Sequence, residues 1–297
     1  MKQELTIKLP ARANIPATSI YTEIHTKSGS PESLSQRDVL ILMPGGPGND
    51  HTVCDYGGNS FAEELVPYVD VILFDPRGCG RSESSPIEDC TLEEYINDVE
   101  AIRDYFKIQP TQGILFGVSY GAIAALGYAV KYPENFKKLI LVGGAVSGDF
   151  IDQARQNLLK IATPEQLAMG EKILTGNFEL TPDMVAGYYE TMGPLYSSTF
   201  QPGLPTPSIT YNVALANFGF KKFLRDFDYK PGLSKIKSKT LIIAGDKDWI
   251  SDQQQALVIH HGINKSKLIT YENCGHMIWI DQWDNFLKDM IEFVKVY

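Results

Sequence analysis

The chain has 297 residues, 43% of them hydrophobic, and a formal net charge of -9 from 27 Lys and Arg against 36 Asp and Glu. That length admits one large α/β domain or two smaller ones. The negative balance repels phosphate backbones and anionic lipid, which excludes nucleic acid and membrane surfaces as expected partners.

No stretch approaches the ~18 uninterrupted apolar residues of a spanning helix. The N-terminus, with Lys2, Glu4 and Lys8, lacks the apolar region of a signal peptide. A soluble, cytoplasmic protein is expected. Four cysteines (Cys54, Cys79, Cys90 and Cys274) are scattered, without a Cys-x-x-Cys pair or a His at zinc-ligand spacing. They read as free thiols of a reducing compartment rather than as a metal site or disulfide framework.

In chain order, residues 4–10 and 18–26 alternate apolar and polar positions, as half-buried antiparallel strands do. Residues 28–37 are polar, contain Gly and Pro, and read as a surface loop. From residue 38 the pattern changes to short continuous apolar runs at Val39–Met43, Val69–Phe74, Gly113–Phe116, Leu139–Val142, Leu241–Ala244 and Leu268–Tyr271. Such runs suit strands buried on both faces of a parallel sheet.

Between them, residues 59–67, 91–107, 120–132, 251–261 and 281–295 read as helices. In the second of these, Leu92, Tyr95, Ile96, Val99 and Ile102 recur at three- and four-residue steps, and Thr91 with Glu94 suggests a capping box. This alternation predicts right-handed crossovers and a mostly parallel, doubly wound sheet with antiparallel N-terminal strands. It breaks at about residue 145 and resumes at about 235. The intervening helical runs, 149–161, 164–174, 181–192 and 210–226, with a Pro-rich stretch at Gly193–Pro207, suggest a helical cap over residues 145–234 inserted in a core of residues 1–144 and 235–297.

Residues 113–121 end in Gly117-Val118-Ser119-Tyr120-Gly121, followed by Ala122, Ala124 and Ala125. Strand, G-x-S-x-G and small-residue helix is the context in which this motif presents a nucleophilic serine on a strained turn. Cys79 and Cys274 do not open a helix after a strand and are poorer candidates. The expected chain order places an acid and then a histidine after the serine.

Of the five histidines, His276 follows the last strand in a turn made by Asn273, Cys274 and Gly275, and is the candidate general base. His260 and His261 sit late in a helical run. His51 precedes the serine but lies near the loop after the first buried strand, where it could line a pocket. His25 reads as a surface residue of an N-terminal strand. For the acid, Asp246 and Asp248 both follow Leu241–Ala244. Asp248 stands farther from the strand end and is preferred, with Asp246 as a turn former. Its role would be to hold the imidazole tautomer. The glycines of Pro44-Gly45-Gly46-Pro47-Gly48 let a backbone N–H approach a reacting carbonyl, so the N–H groups of Gly46 and Tyr120 are the candidate oxyanion donors.

The order and spacing of Pro44-Gly45-Gly46-Pro47-Gly48, Asp75-Pro76-Arg77-Gly78-Cys79-Gly80-Arg81-Ser82 and Gly117-Val118-Ser119-Tyr120-Gly121 resemble the prolyl aminopeptidase (proline iminopeptidase) family of α/β-hydrolases. The resemblance covers residues 38–145 and 235–295. It implies an α/β-hydrolase fold, removal of an N-terminal residue from peptides beneath a helical cap, and Ser119, Asp248 and His276 as nucleophile, acid and base, with Gly46 and Tyr120 as oxyanion donors. Asp75–Ser82 reads as a structural loop beside the nucleophile.

The chain departs from the family at Pro44, where a His is usual, and at Tyr120, where a Trp is usual. It also departs at Ala216, in the stretch most similar to one where the peptidases carry an amine-binding glutamate. Glu190 is the substitute candidate. Phe200, Tyr211, Phe218 and Phe220 are candidates for an apolar pocket wall, with Glu190 and Phe218 chosen as substrate-pocket residues.

The expected activity is therefore serine-hydrolase acyl transfer from a small-molecule or short-peptide substrate, with no cofactor or metal. A carboxylesterase or another small amidase is the alternative, and a non-catalytic ligand receptor on the same fold is the reading from a different class.

Overall fold

A computed structural model describes residues 1–27, 34, 37–55, 59–181, 184–202 and 209–296. The alternating stretches and the apolar runs become strands: β1 (Lys2–Leu9), β2 (Thr18–His25), β3 (Val39–Met43), β4 (Asp70–Phe74), β5 (Gly113–Val118), β6 (Lys138–Val142), β7 (Lys239–Gly245) and β8 (Ser266–Tyr271). They form one eight-stranded sheet in the order β1-β2-β4-β3-β5-β6-β7-β8. β1 pairs antiparallel with β2 and β2 with β4, and every later pairing is parallel. The fold is thus a mostly parallel α/β sheet with antiparallel N-terminal strands.

The helices are α1 (Phe61–Leu65), α2 (Leu92–Tyr105), α3 (Tyr120–Lys131), α4 (Phe150–Ile161), α5 (Pro164–Leu174), α6 (Val185–Tyr196), α7 (Val213–Lys221), α8 (Phe223–Asp226), α9 (Gln253–Gly262), α10 (Ile278–Asp281) and α11 (Trp283–Val296). Side chains alternate across the central strands, so the sheet separates two cores. Val39, Ile41 and Met43 of β3 face a core shared with Val99 of α2, Ile123 of α3 and Ile259 of α9. Leu40 and Leu42 face the other core, with Phe61 of α1 and Phe286 and Met290 of α11. Strands covered on both sides cannot afford polar alternation, which is why these runs are continuously apolar.

The expected capping box at α2 is half formed. Thr91 accepts the Glu94 N–H at 3.2 Å, but the Glu94 carboxylate is held by Arg12 at 2.8 Å instead of returning to the cap. A cation offered by another part of the chain outcompetes a backbone N–H for a carboxylate. The reciprocal box forms at α5, between Thr163 and Gln166.

Among the described residues, the chain between β6 and β7 contributes α4 to α8 and no strand of the sheet. The predicted break at Gly193 is displaced, because α6 carries Pro194 inside its last turn and runs on to Tyr196. Residues 203–207 of the Pro-rich stretch, and all of the 28–37 loop except Leu34 and Arg37, lie outside the described residues.

Candidate active site

β3 lies between β4 and β5, so the chain leaves β3 toward one edge of the sheet and crosses back past it to build the other. The carboxyl ends of β3 and β5 flank that reversal, where open α/β sheets form a crevice. Ser119 sits between β5 and α3 with φ 55° and ψ -121°. A non-glycine residue at positive φ is strained and must be held by its surroundings. The Ser119 N–H is anchored to the Val142 carbonyl at 2.8 Å, and its carbonyl accepts the Ala122 N–H at 2.9 Å.

The flanking glycines are required by close approach. A Cβ on Gly117 would lie 2.2 Å from the Gly121 carbonyl oxygen, and one on Gly121 would lie 2.0 Å from the Met43 carbonyl oxygen. The small-residue pattern therefore lets β5, α3 and the end of β3 converge.

The three residues singled out as a triad come together. His276 Nε2 lies 2.9 Å from Ser119 Oγ, and His276 Nδ1 lies 2.7 Å from Asp248 Oδ2. The second Asp248 oxygen, Oδ1, accepts the N–H groups of Ile250 at 2.9 Å and Ser251 at 3.0 Å. Asp248 is 4% exposed and His276 6%, which keeps water from competing for these bonds. Asp246 instead accepts the Cys274 N–H at 3.0 Å and shapes the turn that carries the histidine. The rival thiols are poorly placed for nucleophilic chemistry: burial pushes the Cys79 and Cys274 thiols up, away from thiolate formation.

Gly46 and Tyr120 line the same cavity as Ser119 and His276. Gly46 has φ +122°, a backbone that glycine adopts freely, and Tyr120 opens α3, where helical N–H groups have no intrahelical acceptor. The Tyr120 ring stacks on Tyr95 at 5.3 Å between centroids, and the Tyr95 hydroxyl donates to the Pro44 carbonyl at 3.0 Å. Pro44 and Tyr120, two of the three positions that depart from the family pattern, are thus joined through one aromatic pair.

The cavity holds about 160 Å³, comparable with the ~150 Å³ that accepts a benzene-sized guest in an apolar protein interior. Its wall beyond Ser119 is mainly aromatic and aliphatic, drawn from the segment between β6 and β7 (Phe178, Tyr188, Tyr196, Phe220) and from the chain after β7 (Trp249, Trp279).

Neither substrate-pocket candidate reaches it. Glu190 is exposed, because α6 turns Tyr188 and Tyr189 toward the cavity and the residue after them toward solvent. Phe218 packs instead with Ile87, Cys79, Cys90 and Leu215, on the side of α7 facing the Asp75–Ser82 loop. Of the other aromatic candidates, Tyr211 and Phe220 line the cavity, whereas Phe200 packs against Gly193. The tyrosines of α6, Trp249 and Asp55 were missed. Trp249, immediately after Asp248, was the one with a usable signal.

Two histidines also differ from expectation. His25 is 5% exposed and contacts Glu23 at 3.2 Å. His51 does not line the cavity; it is buried between Asp75 (Nδ1 to Oδ1, 2.5 Å) and Glu23 (Nε2 to Oε1, 3.2 Å). Burial opposes protonation of His51, but the hydrogen bonds to Asp75 and Glu23 win and raise its pKa to about 9. Asp75 also accepts the backbone N–H groups of His51 at 2.9 Å and Arg81 at 2.7 Å, so Asp75–Ser82 braces the loop after β3. Among the described residues, no group of three or more His, Cys, Asp or Glu side chains is arranged to hold a metal ion, and no helix is long and apolar enough to cross a membrane.

The model of the α/β-hydrolase fold family matches residues 38–282. Among curated proteins, the chain is 29% identical to Proline iminopeptidase PfmaB of Pestalotiopsis fici, covering 84% of this chain and 89% of that one. It is also 29% identical to a proline iminopeptidase of Thermoplasma volcanium, covering 88% and 90%. Among solved structures, an α/β-fold family hydrolase from Bacillus anthracis superposes with a TM-score of 0.76 at 17% identity, covering 98% of this chain and 99% of that one. With its sheet order, its strained serine and this family match, the chain belongs to the α/β-hydrolase fold family.

Proposed function

We propose that this protein is a serine hydrolase that releases an N-terminal, proline-like or apolar residue from small peptides or amides through an acyl-enzyme. The observation that carries the reading is the unbroken contact line from Asp248 through His276 to Ser119, at 2.7 and 2.9 Å. In this reading His276 Nε2 takes the Ser119 proton as Oγ attacks the substrate carbonyl. Asp248 holds the other nitrogen in the donating tautomer and stabilises the imidazolium. The N–H groups of Gly46 and Tyr120 receive the oxyanion, a contribution of roughly 10²–10³ in rate per donor. His276 then returns the proton to the departing amine and activates the water that releases the acyl group. Residues 145–234 act as a cap whose aromatic side chains exclude water from the reacting centre.

A second reading, carboxylester hydrolysis, is favoured by one observation: the described inserted helices present apolar and phenolic groups to the cavity and no carboxylate for a substrate amine.

The test is labelling with a fluorophosphonate probe, which should modify Ser119 and be abolished in Ser119→Ala. Turnover of aminoacyl amides against acyl esters then separates the two readings. Labelling that persists in Ser119→Ala removes the serine from the mechanism, and ester turnover without any aminoacyl-amide turnover removes the peptidase.

A further inference from the structure

Among the described residues, the fully buried acidic side chains are each matched by a cation or by several donors. Asp70 pairs with Arg37, Asp98 with Arg77 and Arg12, Asp75 with His51, Asp248 with His276, and Glu23 with Lys2, Arg81 and His51. Asp50 accepts the N–H groups of Thr52 and Thr210. The pattern follows from the cost of leaving a carboxylate uncompensated away from water.

Asp55, half-buried rather than fully buried, is held more sparingly than these. It stands at the end of the short helical turn His51–Cys54, and among the described residues no Lys, Arg or His forms an ion pair with it. Its Oδ1 accepts the Phe61 N–H at 3.0 Å, and no described residue bonds Oδ2. Burial pushes its carboxyl up, and the Phe61 N–H, with the more distant charges of His51 and His25, offsets only part of that.

Its position gives the difference a purpose. Asp55 lines the cavity that Ser119 and His276 share, and it is the sole acidic residue among the described lining residues. It reaches that wall from the loop after β3, together with Gly45, Gly46, Asn49 and Val53, rather than from the inserted helices. The remaining wall includes Tyr188, Tyr196, Tyr211 and Trp249, whose ring faces attract cations. A cavity whose one described carboxylate has no described cation against it, set among aromatic side chains, is complementary to a small organic ammonium group.

We propose that Asp55 is the specificity-determining residue of this site, an ammonium-binding carboxylate that selects substrates carrying a free, protonated amine. This rests on the hydrolase reading above and deepens it, by supplying from the core the counter-charge that the described inserted helices do not present.

The test measures binding without turnover, in a Ser119→Ala background, by calorimetry near pH 6.5, where an α-amine is protonated. The probes are leucinamide and 4-methylpentanamide, which share a skeleton and differ by the amine. The amine-bearing probe should bind about tenfold tighter or more, as expected for a charge-assisted contact at a desolvated site. Asp55→Asn, which keeps an acceptor for the Phe61 N–H, should erase that difference, and Asp55→Glu should restore part of it.

Equal affinities for the two probes without the Asp55 change would overturn the proposal, whether or not the Asn variant folds. So would a preference for the amine that survives in Asp55→Asn. Fluorophosphonate labelling of the otherwise unaltered protein reports separately on the hydrolase reading, so failure of one is not mistaken for failure of the other.

Discussion

At Asp248 and Asp246, two carboxylates on one short loop are directed to different partners by two residues of chain. Asp248 has Oδ1 filled by the amides of Ile250 and Ser251, leaving Oδ2 to the imidazole, whereas Asp246 is used up on the Cys274 amide. Asp248→Asn should preserve the fold yet lower kcat on the order of 10⁴-fold, because an amide that donates to Nδ1 enforces the wrong tautomer. Steady-state kinetics beside an unchanged melting temperature checks this; an active Asn variant would remove the aspartate from the mechanism. The preference for Asp248 was legible in sequence, since distance from the strand end translates directly into reach. Glu190 and Phe218 lie outside the cavity wall because which face of a helix meets a cavity depends on how that helix is seated, and α6 and α7 have apolar or aromatic residues on more than one face.

At the scale of elements, two polar knots hold loops that no strand or helix controls. One is the buried His51, between Asp75 and Glu23, at the foot of the loop carrying Gly46. Its folded pKa is raised from 6.5 to about 9, so its stabilising contribution is fully present below about 6.5 and is lost as pH rises through about 9. Glu23 shifts the opposite way: burial would raise its carboxyl, but hydrogen bonds from His25, His51, Lys2 and Tyr21 hold it well below the usual range. Its contribution is present above the ordinary carboxylate range and declines as pH falls through its lowered folded value. His51→Gln should therefore cost stability at pH 6, by about 3–5 kcal/mol if both carboxylates stay ionised. The gap to the parent protein should close above pH 9. Melting curves across pH measure it, and a gap independent of pH would refute the assignment.

The second knot is Asp281, which accepts from Ser197 Oγ at 2.6 Å, the Ser198 N–H at 3.0 Å and the Gly275 N–H at 2.7 Å, thereby tying the end of α6 to the His276 turn. Burial alone would raise its carboxyl; these donors, with Thr199, lower it. Asp281→Ala should lower stability by about 1–3 kcal/mol through the orphaned donors and reduce kcat by loosening the histidine turn. Chemical denaturation and kinetics read the two effects, and a variant matching the parent in both would contradict the role. Neither knot was visible in the sequence, because partners such as Ser197 and Asp281 belong to separate elements brought together by tertiary packing.

For the molecule as a whole, the cavity exists because a parallel sheet and an inserted helical segment meet over the carboxyl ends of the strands. Its apolar wall makes acyl-chain length a measurable coordinate. Each buried CH₂ is worth about 0.8 kcal/mol, so ester kcat/KM should rise about fourfold per added methylene until the space is filled, then fall. A series of p-nitrophenyl esters from acetate upward reads this directly, and a flat series would mean that the acyl group does not enter the cavity.

The order of elements, the parallel character of the sheet, the strained serine turn and the identities of Ser119, Asp248 and His276 as candidates were all determined by the sequence. Each depends on local patterning: continuous apolar runs, glycines at fixed offsets from a serine, and loops that follow strands. Only the tertiary structure decided that His51 is buried between two carboxylates, that Glu190 points to solvent, and that the cavity's sole described acid is Asp55. Burial and pairing are relations between segments far apart in the chain, and a residue's charge acquires its role from what the fold leaves unmatched around it.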